Sequence, residues 1–216
     1  MGQQASIETH ILPADAPGVI DRAVRLLAGG QPIAFPTDTV YGVGVHALLP
    51  EAVARLFSVK RRPTGFAIPL LLADAESMDG VCVDIPPVAW DLAQRLWPGA
   101  LSLILHRAPI VPDVVTAGGP TVAVRVPDHA LVRTICRRLG APLAATSANL
   151  HGLPDPVTAQ DACGYLMGRI PLVLDGGPSR GGVPSTLLDM TTVPPAILRR
   201  GPVTAEQIAA ILGVLA

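Results

Sequence analysis

The chain of 216 residues carries a formal net charge of −1 and is 50% hydrophobic. Near-neutral charge speaks against a dedicated nucleic-acid-binding module with its basic stripe, although not against a local basic pocket, and no apolar run is long enough to span a bilayer. The hydrophobic content is ample for a core. With no Gly/Ser-rich or charge-rich linker, the length predicts one domain over residues 1–216.

Aromatic residues make up 3% of the chain, so the core must come from Val, Leu, Ile and Ala, and the rare Tyr41 and Trp97 carry weight. Cys82, Cys136 and Cys163 are odd in number, far apart and without Cys-x-x-Cys spacing, which supports neither a zinc site nor a disulfide framework. Reduced thiols, and a polar Met1–His10 segment without an apolar signal core, predict a soluble, cytoplasmic protein.

In chain order, weak alternation over Ser6–Leu12 predicts a first strand, and Pro17–Ala28 a helix stopped by Gly29-Gly30. Pro32–Phe35 is a short apolar strand. It runs into Pro36–Gly44, which mixes hydroxyls, a carboxylate and a rare Tyr with glycines; this stretch reads either as a β-turn or as part of a site. Pro50–Lys60 is a helix with Pro50 and Glu51 in its first turn and Val53, Leu56 and Phe57 as its apolar stripe. A mobile loop over Pro63–Ala67 and a strand Ile68–Leu72 follow. Pro86–Leu96 is a helix ended by Trp97-Pro98-Gly99. Leu101–Leu105 is a strand, and Ala108–Pro120 a long loop, a type that is often functional.

Thr121–Val126 alternates Val122, Val124 and Val126 against Thr121, Ala123 and Arg125. A cation on a strand fit for burial needs a partner, either a structural carboxylate or a bound anion. A helix His129–Leu139 and a strand Leu143–Thr146 lead to Ser147-Ala148-Asn149. Thr158 caps a helix to Leu166. Strands at Leu172–Leu174, Leu187–Met190 and Ala196–Leu198 are separated by loops containing Asp175-Gly176-Gly177-Pro178 and Gly181-Gly182. A capping box of Thr204 and Gln207 opens a last helix ending at Leu212. The pattern is α/β, with strands that end in Thr37, Thr39, Arg125, Ser147, Asn149, Ser185 and Arg199, where α/β sheets bind ligands.

Lys60-Arg61-Arg62 has an ordinary account as the favourable C-terminal charge of a helix, but one cation would suffice for that, and three repel one another. Ser147-Ala148-Asn149 has an ordinary account as a polar strand exit. Phosphate loops of the Gly-x-x-x-x-Gly-Lys type, Gly-x-Gly-x-x-Gly after a strand, and Gly-x-Ser-x-Gly are absent. The histidines show no metal-ligand spacing. What remains is a set of Lys, Arg, Ser, Thr and Asn without an obvious general base, suited to positioning and charge neutralisation in phosphoryl or nucleotidyl transfer.

The ordered stretches Phe35–Gly42, Lys60-Arg61-Arg62-Pro63, Trp97-Pro98-Gly99, Val122–Pro127, Ser147-Ala148-Asn149 and Ser185-Thr186 together resemble the YrdC-like family of L-threonylcarbamoyladenylate synthases, over about residues 30–201. The family's Lys-x-Arg and Ser-x-Asn pairs are intact at Lys60/Arg62 and Ser147/Asn149.

The resemblance implies a twisted, mostly mixed sheet flanked by helices around a large, positive, concave cavity. It implies synthesis of threonylcarbamoyl-AMP and pyrophosphate from L-threonine, bicarbonate and ATP with Mg2+, and downstream proteins that carry the group to the adenosine beside a tRNA anticodon, with at most a weak RNA contact of its own. By the same resemblance Lys60, Arg62, Ser147 and Asn149 are catalytic. ATP is held by these four with Thr121, Asp155 and Arg199, and threonine by Thr39, Arg125, Ala145 and Ser185. The segment Thr64–Leu70 departs from many members: it is longer, has Ile68 where Asn is common, and no His follows. The chain resembles the short form of the family. Two other readings share the fold, an RNA-binding or ribosome-maturation module and a carbamoyl-adenylate enzyme with another acceptor.

Overall fold

Successive residues of a strand face opposite sides of the sheet, and in the centre of this protein that rule separates core from cavity. The computed structural model describes residues 7–63, 65–179 and 182–213. Its strands are β1 (His10–Pro13), β2 (Ile33–Phe35), β3 (Gly42–His46), β4 (Leu70–Leu71), β5 (Cys82–Val83), β6 (Leu101–Arg107), β7 (Thr121–Arg125), β8 (Leu143–Ser147), β9 (Leu172–Asp175), β10 (Thr186–Asp189) and β11 (Ala196–Arg199). Its helices are α1 (Val19–Ala28), α2 (Pro50–Lys60), α3 (Pro87–Leu96), α4 (Asp113–Thr116), α5 (Ala130–Leu139), α6 (Ala159–Leu166) and α7 (Ala205–Leu212).

All strands join one sheet in the order β1-β9-β2-β3-β8-β4-β7-β6-β10-β11, with β5 added beside β6. The sheet is mixed: β9 pairs parallel with β1 and β2, β4 with β7, and β6 with β10, while β2-β3, β3-β8, β8-β4, β6-β7, β5-β6 and β10-β11 are antiparallel.

One face of the central strands presents Leu70, Leu101, Leu103, Leu105, Val122, Val124, Ala144 and Leu188 to a core shared with α2, α3 and α6. On the other face a second core packs α1 and α5 against Ile33, Phe35, Leu71, Leu143, Ala145, Leu172 and Leu174. This second core reaches no further than β4. Beyond it the same face carries Ser102, Ile104, Thr121, Ala123, Arg125 and Leu187, which line a cavity. The alternation of valines with Thr121, Ala123 and Arg125 is therefore core on one side and cavity floor on the other.

Several elements differ from the sequence expectation. The first strand is His10–Pro13 and not Ser6–Leu12, with Ser6 outside the described residues. Gly42–His46, expected as turn or site, is a fully paired strand, with Gly42 opposite Phe35 and Ser147. Its glycines are needed there: a Cβ on Gly44 would sit 3.1 Å from the Phe35 ring and 3.2 Å from the Ala144 carbonyl. Only Leu70–Leu71 of the expected strand Ile68–Leu72 pairs. The long loop after β6 holds the short helix α4, and a 3-10 turn Glu76–Gly80 precedes β5. Thr64 in the loop after α2, and Gly181, lie outside the described residues. Both C-terminal capping boxes form as expected, Thr158 with Asp161 and Thr204 with Gln207.

Helix α2 ends by an abrupt reversal. Arg61 adopts φ 50 and ψ 38, and the backbone N–H groups of Arg61 and Arg62 return to the carbonyls of Ser58 and Phe57. This is the left-handed cap usually given to glycine. It separates three adjacent cations: Lys60 is buried, Arg61 is exposed and Arg62 is half-buried. Arg61→Gly should therefore raise stability by about 0.5–1 kcal/mol, and Arg61→Val should lower it by about 1 kcal/mol or more. Urea unfolding midpoints at unchanged m-value measure both.

Candidate active site

The open face of the sheet, together with the loops before β3, after α2, after β8 and before β10, encloses a cavity of about 390 Å³. Arg62, Arg125 and Arg199 line it, with the hydroxyl residues Thr37, Thr39, Ser102, Thr121, Thr146, Ser147 and Ser185 and the carboxylate Asp155. A larger cavity of about 450 Å³ is lined by residues such as Leu48, Leu72, Ile110 and Pro142. Its arginine, Arg137, is ion-paired with Asp74 at 3.7 Å, so the convergence of cations belongs to the smaller cavity.

Lys60, at the end of α2, is 2% exposed. Its ammonium donates to the Ser147 carbonyl and, at 3.0 Å, to Asn149 Oδ1. Ser147 Oγ donates to the same Oδ1 at 2.7 Å, and the Asn149 amide nitrogen donates to the Leu153 carbonyl. The ammonium thus folds the turn after β8 around itself. Burial, and secondarily the Arg62 charge, lower the Lys60 pKa to about 8, against a rise from Asp155. Arg62 donates through Nη1 to Thr146 Oγ1 at 3.2 Å and through Nη2 to the Ala67 carbonyl at 3.3 Å.

Arg125, 6% exposed, answers the question posed by its strand. Nη2 pairs with Asp38 Oδ2 at 2.6 Å, Nε donates to the Gly99 carbonyl at 2.8 Å, and Nη1 donates to Thr39 Oγ1 at 3.3 Å. The structural carboxylate exists. Three of the five guanidinium N–H groups are so engaged, which leaves donors for a ligand in a residue that lines the cavity. Burial pulls the Arg125 pKa down and Asp38 pulls it back. Thr37 Oγ1 shapes the loop that carries Asp38, donating to the Val40 carbonyl at 2.7 Å and accepting from the Thr39 N–H at 3.1 Å.

Opposite, Arg199 donates to the Ser185 carbonyl at 3.0 Å and to Ser185 Oγ at 3.3 Å, while Ser185 Oγ and Ser102 Oγ lie 2.8 Å apart. Gly201 sets this corner: a Cβ there would lie 2.4 Å from the Thr186 nitrogen and 2.5 Å from the Pro184 oxygen.

Of the residues singled out in the sequence, Thr39, Arg62, Thr121, Arg125, Ala145, Ser147, Asp155, Ser185 and Arg199 line the one cavity. Lys60 and Asn149 stand behind the wall and act on it through Ser147. Sequence reasoning missed Ser102 and the role of Asp38. The signal for Asp38 was present, a carboxylate in an odd Thr-rich stretch and a buried arginine in need of one. Tyr41 justifies its weight. Fully buried, it donates its hydroxyl to the Gly177 carbonyl at 2.7 Å, while its backbone joins Pro156 and Ala148.

The family model Sua5/YciO/YrdC, described by the words "Telomere recombination", matches residues 25–201. The chain belongs to this family. It is similar to the threonylcarbamoyl-AMP synthase of Pyrococcus abyssi, 40% identical over 88% of the chain and 57% of that protein, and to that of Bacillus subtilis, 42% identical over 90% and 56%. The chain thus spans a little over half the length of these relatives. The crystal structure of P. abyssi Sua5 complexed with L-threonine superposes with a TM-score of 0.89 at 38% identity, covering 96% of this chain and 61% of that one. The mixed sheet flanked by helices is the fold of this family.

Two outcomes test the site. Asp38→Ala should cost about 3–5 kcal/mol in urea unfolding, since it strands a buried guanidinium, and Asp38→Ala combined with Arg125→Met should recover part of that loss. For Lys60, a folded-state pKa depressed to about 8 means that the unfolded chain binds more protons between about pH 8 and the ordinary lysine value. Stability should therefore rise with pH across that window, and the rise should be missing in Lys60→Met.

Proposed function

We propose that this chain is an L-threonylcarbamoyladenylate synthase of the YrdC type, acting on L-threonine, bicarbonate and ATP. The observation that carries this reading is the meeting of Arg62, Arg125 and Arg199 with the hydroxyls of Thr39, Thr121, Ser147 and Ser185 around one cavity. Family membership and the names of the relatives support the same chemistry.

The residues divide the work by charge. Threonine's amine and bicarbonate give a carbamate with loss of water. A carbamate oxygen attacks the α-phosphorus of ATP and pyrophosphate leaves. Both reactants are anions, so their approach requires fixed cations that water does not screen. Arg62 and Arg199 face the phosphates, with Lys60 adding its field and holding the Ser147–Asn149 turn to the nucleotide; Thr121 and Asp155 complete the ATP side.

On the other side, Arg125 offers its remaining donors to the threonine carboxylate. Because Asp38 already balances the guanidinium, the pair is nearly neutral and suits an amino acid that brings both charges. Thr39, the backbone at Ala145, and Ser185 enclose the rest. A magnesium ion fits as a companion of the triphosphate. Among the described residues Asp155 is the one lining carboxylate, and a dication that keeps its waters and phosphate ligands needs few protein oxygens. It would neutralise charge on the leaving pyrophosphate. The product would pass to proteins that transfer the threonylcarbamoyl group to tRNA, with little RNA contact by this chain. Among the described residues no helix is long and apolar enough to cross a membrane.

The test is pyrophosphate release from ATP and bicarbonate in magnesium buffer. Release should require L-threonine, with serine much weaker. No release with any amino acid, despite ATP binding, would reject the synthase. Arg62→Ala should abolish release with the fold intact by circular dichroism. Arg125→Lys, which keeps the charge but not the fork, should raise the half-saturating threonine concentration about tenfold or more, with the ATP requirement little changed.

A further inference from the structure

Arg62 is an unusually supported cation. Among the described residues no carboxylate lies within ion-pair distance of it. Its two nitrogen contacts, at 3.2 and 3.3 Å, are both long and neutral. Its Nε is buried without a hydrogen-bond partner among the described residues. Lys60, two residues back, carries a like charge that opposes it. A guanidinium so placed should swing to water, yet it stands in the cavity wall.

The group that meets it is Phe66. The Arg62 guanidinium carbon lies 5.2 Å from the centroid of the Phe66 ring, within range of a cation–π contact. Phe66 is itself 47% exposed, so it is not held there by burial in the core. Its ring is flanked by His151, with centroids 5.6 Å apart and planes at 47°. The His151 backbone N–H in turn donates to the Lys60 carbonyl at 3.1 Å. The loop after α2 and the loop after β8 are thereby joined through one aromatic ring, directly over Arg62.

We propose that Phe66 is the positioning residue for Arg62: its ring face supplies the attraction that no carboxylate supplies and holds the guanidinium toward the cavity. A carboxylate in that position would hold Arg62 more firmly but would cancel the charge that an incoming phosphate needs. A ring face restrains the cation and leaves its charge available. The device lies in the loop between α2 and β4.

The restraint is read directly by ¹⁵N NMR of the Arg62 Nε–Hε group in the full chain, its signal assigned by its loss in Arg62→Lys. This reading is independent of what the protein catalyses. Phe66→Leu, which keeps bulk but not the ring quadrupole, should lower the order parameter of that group, and Phe66→Tyr should retain it. Resting on the ATP assignment above, a second measurement is calorimetric ATP binding without threonine. Affinity should fall about threefold or more in Phe66→Leu and stay near wild type in Phe66→Tyr, with unfolding midpoints unchanged in both. An Arg62 signal equally ordered in Phe66→Leu overturns the proposal. If Arg62→Ala binds ATP as well as wild type, the ATP assignment of Arg62 fails, and the NMR comparison still decides the role of Phe66.

Discussion

A permanently charged guanidinium placed where water scarcely reaches is the constraint around which this structure is arranged. Arg125 cannot shed its proton, so its burial must be compensated by geometry. Three separate parts of the chain supply that geometry: the loop before β3 brings Asp38 and Thr39, the turn after α3 brings the Gly99 carbonyl, and β7 carries the arginine itself. The Thr37 hydroxyl bonds that shape the first loop, the tight corner at Gly99, where a Cβ would meet the Leu96 oxygen at 2.4 Å, and the parallel pairing of β4 with β7 all serve to hold one cation in register with the cavity. The pair that results is nearly neutral, in a cavity wall that Arg62 and Arg199 also line.

The second organising feature is the end of α2. A helix C-terminus tolerates positive charge, and the simplest account of Lys60-Arg61-Arg62 stops there. The left-handed residue at Arg61 gives the run a different meaning. It turns one lysine inward as the centre of the Ser147–Asn149 turn, releases one arginine to solvent and directs the other along the cavity wall. Lys60 is thus closer to a structural ion for the neighbouring loop than to a group in open contact with a ligand, and its charge still adds to the potential of the site.

Much of this was legible in the sequence because strands announce themselves by alternation. Thr121–Val126 displayed both faces, and the buried arginine within it predicted a partner before any partner was visible. Helices α2, α6 and α7 were legible through their caps. What was not legible depended on pairing between distant segments. Nothing local marks Gly42–His46 as a strand, since its glycines are explained only by the Phe35 ring packed over them from β2. Two-residue strands such as β4 and β5 exist only through their neighbours. Asp38 looked like turn chemistry because the residue it serves lies 87 positions away. Lys60 and Asn149 stood out by their pattern, but a sequence does not distinguish a residue in the cavity wall from one behind it.

The order of strands across the sheet has a consequence for how the protein comes into being. The cavity draws on Thr39 near the beginning and on Arg199 near the end, and β10 must insert beside β6 before β11 can close the corner at Ser185. Such non-local pairings form late and slowly, because the intervening chain must first be brought together. During synthesis, then, nearly all of the hydrophobic core can be assembled while the site is still missing a wall. A nascent chain stalled before Arg199 would be folded in most of its bulk with the cavity still open on one side, so that closure of the cavity is a late event, separate in time from stability.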